Sequence, residues 1–297
     1  MPYMYEVIAD FERDWTNFLC RQLTEAGYTP DRSLGADEIG YRYFNLQRRL
    51  IPAVPRKILK SDVFSCPDYL KDGLELLEQK IRSGASLLPH LSRKTGSLIE
   101  TDSLLNDWGI HHLHLGNRLQ DDGLVNRTGP ILFARFDQTH AYFICIMEHG
   151  RGHSPWYKQQ MIQILHRNWP ESIEHFRLKE LKGLSRPVTD EDIKKNRKYG
   201  SYCFTEPEPG VVYAPFGGGY STVGTSVEAG SLSDTWLNAI WNSEKYLREN
   251  IARIVKLVYD ETGKQIGPKM KFLLGIEGRD IYALEVQSRV FLKLDSI

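Results

Sequence analysis

The densest group of residues with acid-base potential is a histidine-rich run, WGIHHLHLG, at positions 108–116. Its alternation of polar and apolar residues predicts a β-strand, in which successive side chains point to opposite faces. His112 and His114 would then share one face, while His111 would lie on the other. Because imidazole has an ordinary pKa of about 6.5, it can give or take a proton near neutral pH. The spacing therefore predicts two imidazoles placed side by side for acid-base chemistry.

A second polar segment, 148–158, follows directly after another predicted strand and contains Glu148, His149, Arg151, His153 and Lys158. Cleavage of RNA without a metal needs a base for the ribose 2′-hydroxyl, an acid for the leaving 5′-oxygen and a cation beside the phosphate. His112 or His114, together with His153, would supply the base and the acid. Arg151 and Lys158 would stabilise the phosphate. The first hypothesis is thus a metal-independent ribonuclease that uses no cofactor.

A metal site is the second interpretation of the same residues. His112 and His114 would provide two ligands from one strand face, His149 or His153 would provide a third, and Glu148 or Asp137 would add a carboxylate. Zinc or another divalent transition metal accepts such ligands, and the activity would then be that of a metal-dependent nuclease or hydrolase. The chain has neither an HExxH motif nor a cysteine-based ligand spacing, so the third ligand stays open.

The third hypothesis is a protein without catalytic activity. Histidines on strands often bond to backbone carbonyls or pack on aromatic rings, with only a structural role. The carboxy-terminal part of the chain, with its predicted long helix and sheet, has no obvious reactive group. This part would bind a protein partner or form a homo-oligomer.

The elements that must position the histidines are predicted from periodicity and turn residues. Short apolar runs predict strands over 110–115, 131–136 and 141–147, and helical spacing follows over 156–169. The fold class is therefore α+β, with a helical amino-terminal region, a small and mostly antiparallel central sheet, and a carboxy-terminal α+β domain. The predicted boundaries are a helical lead-in at 1–100, a β-β-β-α site segment at 101–176, a charged linker at 177–205 and the last domain at 206–297.

The three short strands, followed by a polar tail rich in Arg, His, Tyr and Lys, resemble the catalytic sheet of RelE-type toxins and the wider barnase, EndoU and colicin-nuclease group. The resemblance is confined to the central segment. It implies a metal-independent ribonuclease with a toxin or antiviral defence role, in which the candidate residues are His112, His114, Arg151, His153 and Lys158. Toxins of that group are usually small and basic, whereas this chain is long and carries no net charge.

Composition limits the partners and the compartment. Lysine plus arginine equal aspartate plus glutamate at 38 each, so any RNA-binding surface must be a local patch. The four cysteines have no short ligand spacing, which is typical of reduced cytosolic proteins. The sequence shows neither a signal peptide nor the run of about 18 apolar residues that indicates a membrane span, so a cytoplasmic protein without membrane contact is expected.

Overall fold

The computed structural model describes residues 5–150, 154–201, 204–265 and 267–297. The fold is α+β, as the sequence predicts. The chain divides into two compact units, one formed by Met1–Phe44 with Ala229–Ile297 and the other by Asn45–Glu228. This division differs from the predicted boundaries because the strand Glu6–Ile8 pairs with the strand Lys269–Glu277, which brings both ends of the chain into one unit.

The α-helices are α1 (Phe11–Glu25), α2 (Ala36–Arg49), α3 (Lys71–Ser83), α4 (Ser103–Trp108), α5 (Gln160–Asn168), α6 (Asp190–Lys198), α7 (Val227–Glu249) and α8 (Ile251–Thr262). The strands are β1 (Glu6–Ile8), β2 (Lys57–Lys60), β3 (His111–His114), β4 (Pro130–Phe136), β5 (His140–Glu148), β6 (Thr205–Glu208), β7 (Val211–Tyr213), β8 (Lys269–Glu277), β9 (Asp280–Glu285) and β10 (Phe291–Ser296). Within the described ranges, no helix has the length and apolar character that crossing a membrane requires.

The first unit contains a sheet of order β1-β8-β9-β10, in which β1 and β8 are parallel and the other pairs are antiparallel. Its core includes Phe11, Trp15, Leu237, Ile240 and Phe272. Burial of such large apolar side chains supplies the main stabilisation of the unit.

The second unit is built on a sheet of order β2-β5-β4-β3. Only β2 and β5 are parallel, so the central sheet is small and mostly antiparallel, as predicted. One core joins α5 to Ile131 and Phe133 of β4, and another joins α3 to Leu132 of β4 and Leu113 of β3. The sheet is thus packed on both faces, and the histidine-bearing strand β3 lies at its edge.

The segment predicted as a charged linker, 177–205, belongs to the second unit. It contains α6, whose first turn is closed by a capping box in which the Thr189 hydroxyl accepts the Asp192 N–H and the Asp192 carboxylate accepts the Thr189 N–H. Ile193 of this helix is buried in the core that contains α5. The abundance of charge in the sequence hides this single buried apolar position, so composition alone suggests a linker.

Candidate active site

Strand β3 presents its histidines with the alternation that the sequence predicts. The His112 ring meets the ring of Trp156 edge-on, with 5.0 Å between ring centroids. The His114 ring lies 5.4 Å from that of His149, which follows the end of β5. Leu113, between the two histidines, is fully buried in the core on the other face. Antiparallel pairing of β4 with both β3 and β5 therefore brings three histidines together from two strands.

These histidines line a cavity of about 430 Å³ in the second unit. Its wall also includes Lys94, Glu100, Asp102, Ser103, His111, Trp156 and Tyr157. The volume lies in the range of small-molecule sites in proteins. With Arg49 also in the wall, the cavity combines imidazoles, two carboxylates, two cations and two aromatic rings, which is a set suited to proton transfer on a polar substrate.

Asp102 connects the start of α4 to His112. Its Oδ1 accepts hydrogen bonds from the backbone N–H groups of Leu104 and Leu105, at 3.0 and 3.1 Å, as the N-cap of the helix. Its Oδ2 lies 3.5 Å from Nδ1 of His112. A carboxylate at Nδ1 favours the tautomer that carries its proton there, which leaves Nε2 as a proton acceptor. The approach is a charge contact rather than a hydrogen bond, because Nδ1 of His112 is buried and has no hydrogen-bond partner among the residues that the structure describes.

His114 is held in the opposite tautomer. Its Nδ1 accepts the backbone N–H of Thr128 at 3.4 Å, so in the neutral ring the proton is on Nε2. The His149 ring is oriented by the carbonyl of Gly129, to which its Nδ1 donates a hydrogen bond. The cavity wall therefore contains an acceptor nitrogen on His112 beside a donor nitrogen on His114.

Burial sets the charge of these rings. Desolvation lowers the pKa of His112 below its usual value, although Asp102 opposes the shift. Desolvation, with the nearby cation of Arg127, lowers the pKa of His114 to about 3. Burial is also the main cause that lowers the pKa of His111 to about 4. All three rings are therefore neutral at pH 7, a state in which His112 can accept a proton and His114 can donate a hydrogen bond.

His111 has a different role from its neighbours, although it also lines the cavity. Its Nε2 donates to the carbonyl of Arg48 at 3.2 Å, and its ring packs edge-on against Phe136. A histidine bonded to a backbone carbonyl and an aromatic ring matches the structural role that the third hypothesis gives to strand histidines.

The structure places Lys158 apart from the cavity. Its Nζ lies 3.1 Å from the Asp190 carboxylate in an exposed ion pair, because the chain leaves the cavity wall after the short turn Pro155–Tyr157. The cations that do line the cavity are Arg49 and Lys94, and Lys94 pairs with Glu100 at 3.1 Å. The other two predicted residues of this segment, Arg151 and His153, lie outside the described residues.

Sequence reasoning missed Asp102, Trp156 and Tyr157. Asp102 and Ser103 stand directly before Leu104 and Leu105, and this pattern is an N-cap signal that predicts a helix start close to the histidine run. Trp156 was predicted to begin a helix, which instead starts at Gln160. Trp156 lies instead in the short turn Pro155–Tyr157, and its ring contacts those of His112 and His149.

In the described ranges, no group of three or more His, Cys, Asp or Glu residues is arranged to hold a metal ion. Of the predicted histidine ligands, His112, His114 and His149 line the cavity, and His153 is the residue whose position is not described. No protein-family model, curated protein or solved structure matches this chain.

Proposed function

We propose that this protein is a metal-independent ribonuclease in which His112 is the general base. The observation that carries the proposal is the approach of the Asp102 carboxylate to His112 in a cavity that also contains His114 and His149. A carboxylate that orients an imidazole, which in turn faces the reacting group, is a recurrent arrangement for general-base catalysis. A toxin or defence role, and a cytoplasmic location, follow from the sequence alone and stay predictions.

The reaction begins when Nε2 of His112 takes the proton of a ribose 2′-hydroxyl. The 2′-oxygen attacks the adjacent phosphorus, the bond from phosphorus to the 5′-oxygen breaks, and a 2′,3′-cyclic phosphate forms. The Nε2–H of neutral His114 donates a hydrogen bond to a phosphate oxygen as negative charge builds there. His149 acts in its protonated form: its Nδ1–H stays on the Gly129 carbonyl, and its Nε2 gives a proton to the leaving 5′-oxygen, so that His149 ends neutral and His112 ends protonated.

The remaining cavity wall fits a nucleotide. Trp156 and Tyr157 offer aromatic rings on which a base can stack, as in many proteins that bind single-stranded RNA. Lys94 supplies a cation beside the histidines, and Ser103 supplies a hydroxyl. The neutral overall charge of the chain agrees with a local binding site rather than a broad basic surface.

The proposal is tested with labelled single-stranded RNA, with and without EDTA. His112→Ala is expected to lower the cleavage rate by about 100- to 10,000-fold, the usual contribution of a general base. His175→Ala is the matched control, since His175 is an exposed histidine of the same unit outside the cavity wall. Full activity in the His112→Ala, His114→Ala double variant would rule out the mechanism. Cleavage that EDTA abolishes would favour the metal-dependent alternative.

A further inference from the structure

A buried ion pair joins α6 to α4 behind the cavity wall. Nε of Arg197 lies 2.8 Å from Oδ2 of Asp107, and each side chain is only 3% exposed. Burial raises the pKa of Asp107, and the Arg197 guanidinium opposes this shift. Because removing one partner would leave an uncompensated buried charge, the two side chains hold each other in place.

The same guanidinium also holds the turn that carries the aromatic wall of the cavity. Nη1 of Arg197 donates a hydrogen bond to the backbone carbonyl of Trp156 at 2.5 Å. Cζ of Arg197 lies 4.3 Å from the ring centroid of Trp108 and 5.5 Å from that of Tyr157. The planar fork of arginine thus contacts the end of α4 and the turn Pro155–Tyr157 at once.

Both of these contacts lead to His112. Helix α4 has Asp107 near its end and Asp102 as its N-cap, so an anchor on Asp107 fixes the carboxylate that faces His112. Trp156, anchored through its carbonyl, places its ring 5.0 Å from that of His112 and 6.1 Å from that of His149. Two neighbours of His112 are therefore held by one side chain.

We infer that Arg197 is a positioning residue of the His112 site, which sets the orientation of Asp102 and Trp156 around the imidazole without touching the substrate. The kinetic consequence rests on the proposed function, whereas the geometric consequence does not. A lysine at position 197 could pair with Asp107 through its single nitrogen. It could not at the same time donate the hydrogen bond to the Trp156 carbonyl and place a planar cation on the Trp108 ring.

Two variants test this role, and one serves as a control. Arg197→Lys retains the charge, and the Arg197→Met, Asp107→Leu double variant replaces the buried pair with apolar groups, a change that often leaves stability intact. Arg56→Lys is the control, because Arg56 is another buried arginine of the second unit, bonded to the backbone carbonyls of Asp137 and Pro52 and absent from the cavity wall.

The first readout needs no substrate. The ring Cε1–H signals of the histidines are followed by NMR, and the His112 signal is assigned by its loss in His112→Gln. We expect both Arg197 variants to shift the His112 signal and its titration, whereas Arg56→Lys leaves them unchanged. A His112 signal and titration like those of the wild type in a folded Arg197 variant would overturn the inference, as would loss of the fold in both variants.

The second readout is RNA cleavage by the same proteins. We expect kcat to fall by about 10- to 100-fold in Arg197→Lys, the effect of a small displacement of a catalytic group, and to be retained in Arg56→Lys. An unchanged kcat in Arg197→Lys would also overturn the inference. If the wild type cleaves no RNA, the proposed function fails, and the NMR readout alone still decides whether Arg197 positions His112.

Discussion

The two four-stranded sheets of this protein use their edge strands in different ways. In the second unit, edge strand β3 contains three histidines, of which His114 is only 6% exposed and the other two are half-buried. In the first unit, edge strand β10 exposes Phe291 and forms a surface ion pair between Lys293 and Asp280 at 2.9 Å. Burial of titratable groups costs stability and is frequent at catalytic sites. The contrast therefore supports placing the proposed chemistry in the second unit.

Acid stability should separate the two units most strongly. All nine histidines lie between positions 90 and 175, so the first unit has none. The pKa of His111 is lowered to about 4 and that of His114 to about 3, so both rings take up a proton on unfolding below about pH 6.5. Their stabilising contribution is complete above that pH and is lost as the pH falls towards the folded values. As the pH falls from about 6.5 towards its folded pKa, each of these two histidines should lower the free energy of unfolding by about 1.4 kcal/mol per pH unit.

Urea unfolding at several pH values between 7 and 4 measures this dependence. The variant His114→Gln isolates one histidine, since carboxylates of both units contribute equally to the wild type and the variant. Its acid slope should be smaller than that of the wild type by about 1.4 kcal/mol per pH unit. Identical slopes would mean that His114 is not held neutral in the folded protein.

The two aspartate N-caps offer the next comparison. Asp10 caps α1 in the first unit through the N–H of Arg13, and Asp102 caps α4, but only Asp102 also faces a histidine. Asparagine is an equally good N-cap, so neither Asp→Asn change should alter the melting temperature much. Asp102→Asn should nevertheless lower kcat by about 100-fold, because it removes the charge that stabilises protonated His112. Asp10→Asn should leave kcat unchanged, and equal effects of the two changes would contradict the role of Asp102.

A pair of tryptophans gives the smallest expected effect. Trp156 lines the cavity, whereas Trp241 lies on α7 with its Nε1 donating to Glu12 at 2.8 Å. Trp156→Ala should raise the KM for RNA by about tenfold, since stacking of one base contributes about 1–3 kcal/mol. Trp156→Phe should restore most of the affinity. Steady-state kinetics would refute the stacking role if Trp241→Ala raised the KM as much as Trp156→Ala.

Local patterns in the sequence were sufficient to predict the strands and the two histidines at the centre of the candidate site. Alternation over β3 predicts that His112 and His114 share a face, and the apolar runs at 131–136 and 141–147 predict β4 and β5 to within a residue or two of their observed bounds. These features are short-range, so the chain itself specifies them. The α+β fold class follows from the same patterns.

Features that depend on distant segments were not predictable in this way. β1 pairs with β8, although almost the whole chain separates them in sequence. β2 is a short strand between prolines, and only its pairing with β5 makes it a strand. Arg197 reads as one charge among many in a polar segment, although it is buried against Asp107. The long helix predicted in the carboxy-terminal part is two helices, because the backbone leaves helical geometry at Asn250. Such outcomes depend on tertiary packing, which overrides local propensity.

The most direct test of the central claim is the chemistry of the cleaved strand. An RNA oligonucleotide and a matched one with a single 2′-deoxy nucleotide at the cleavage position are incubated with the protein in EDTA, and the product ends are identified by mass spectrometry. The account predicts a 2′,3′-cyclic phosphate from the RNA and no cleavage at the 2′-deoxy position. Equal cleavage of both strands, or products with a 3′-hydroxyl, would contradict a mechanism in which His112 deprotonates the 2′-hydroxyl.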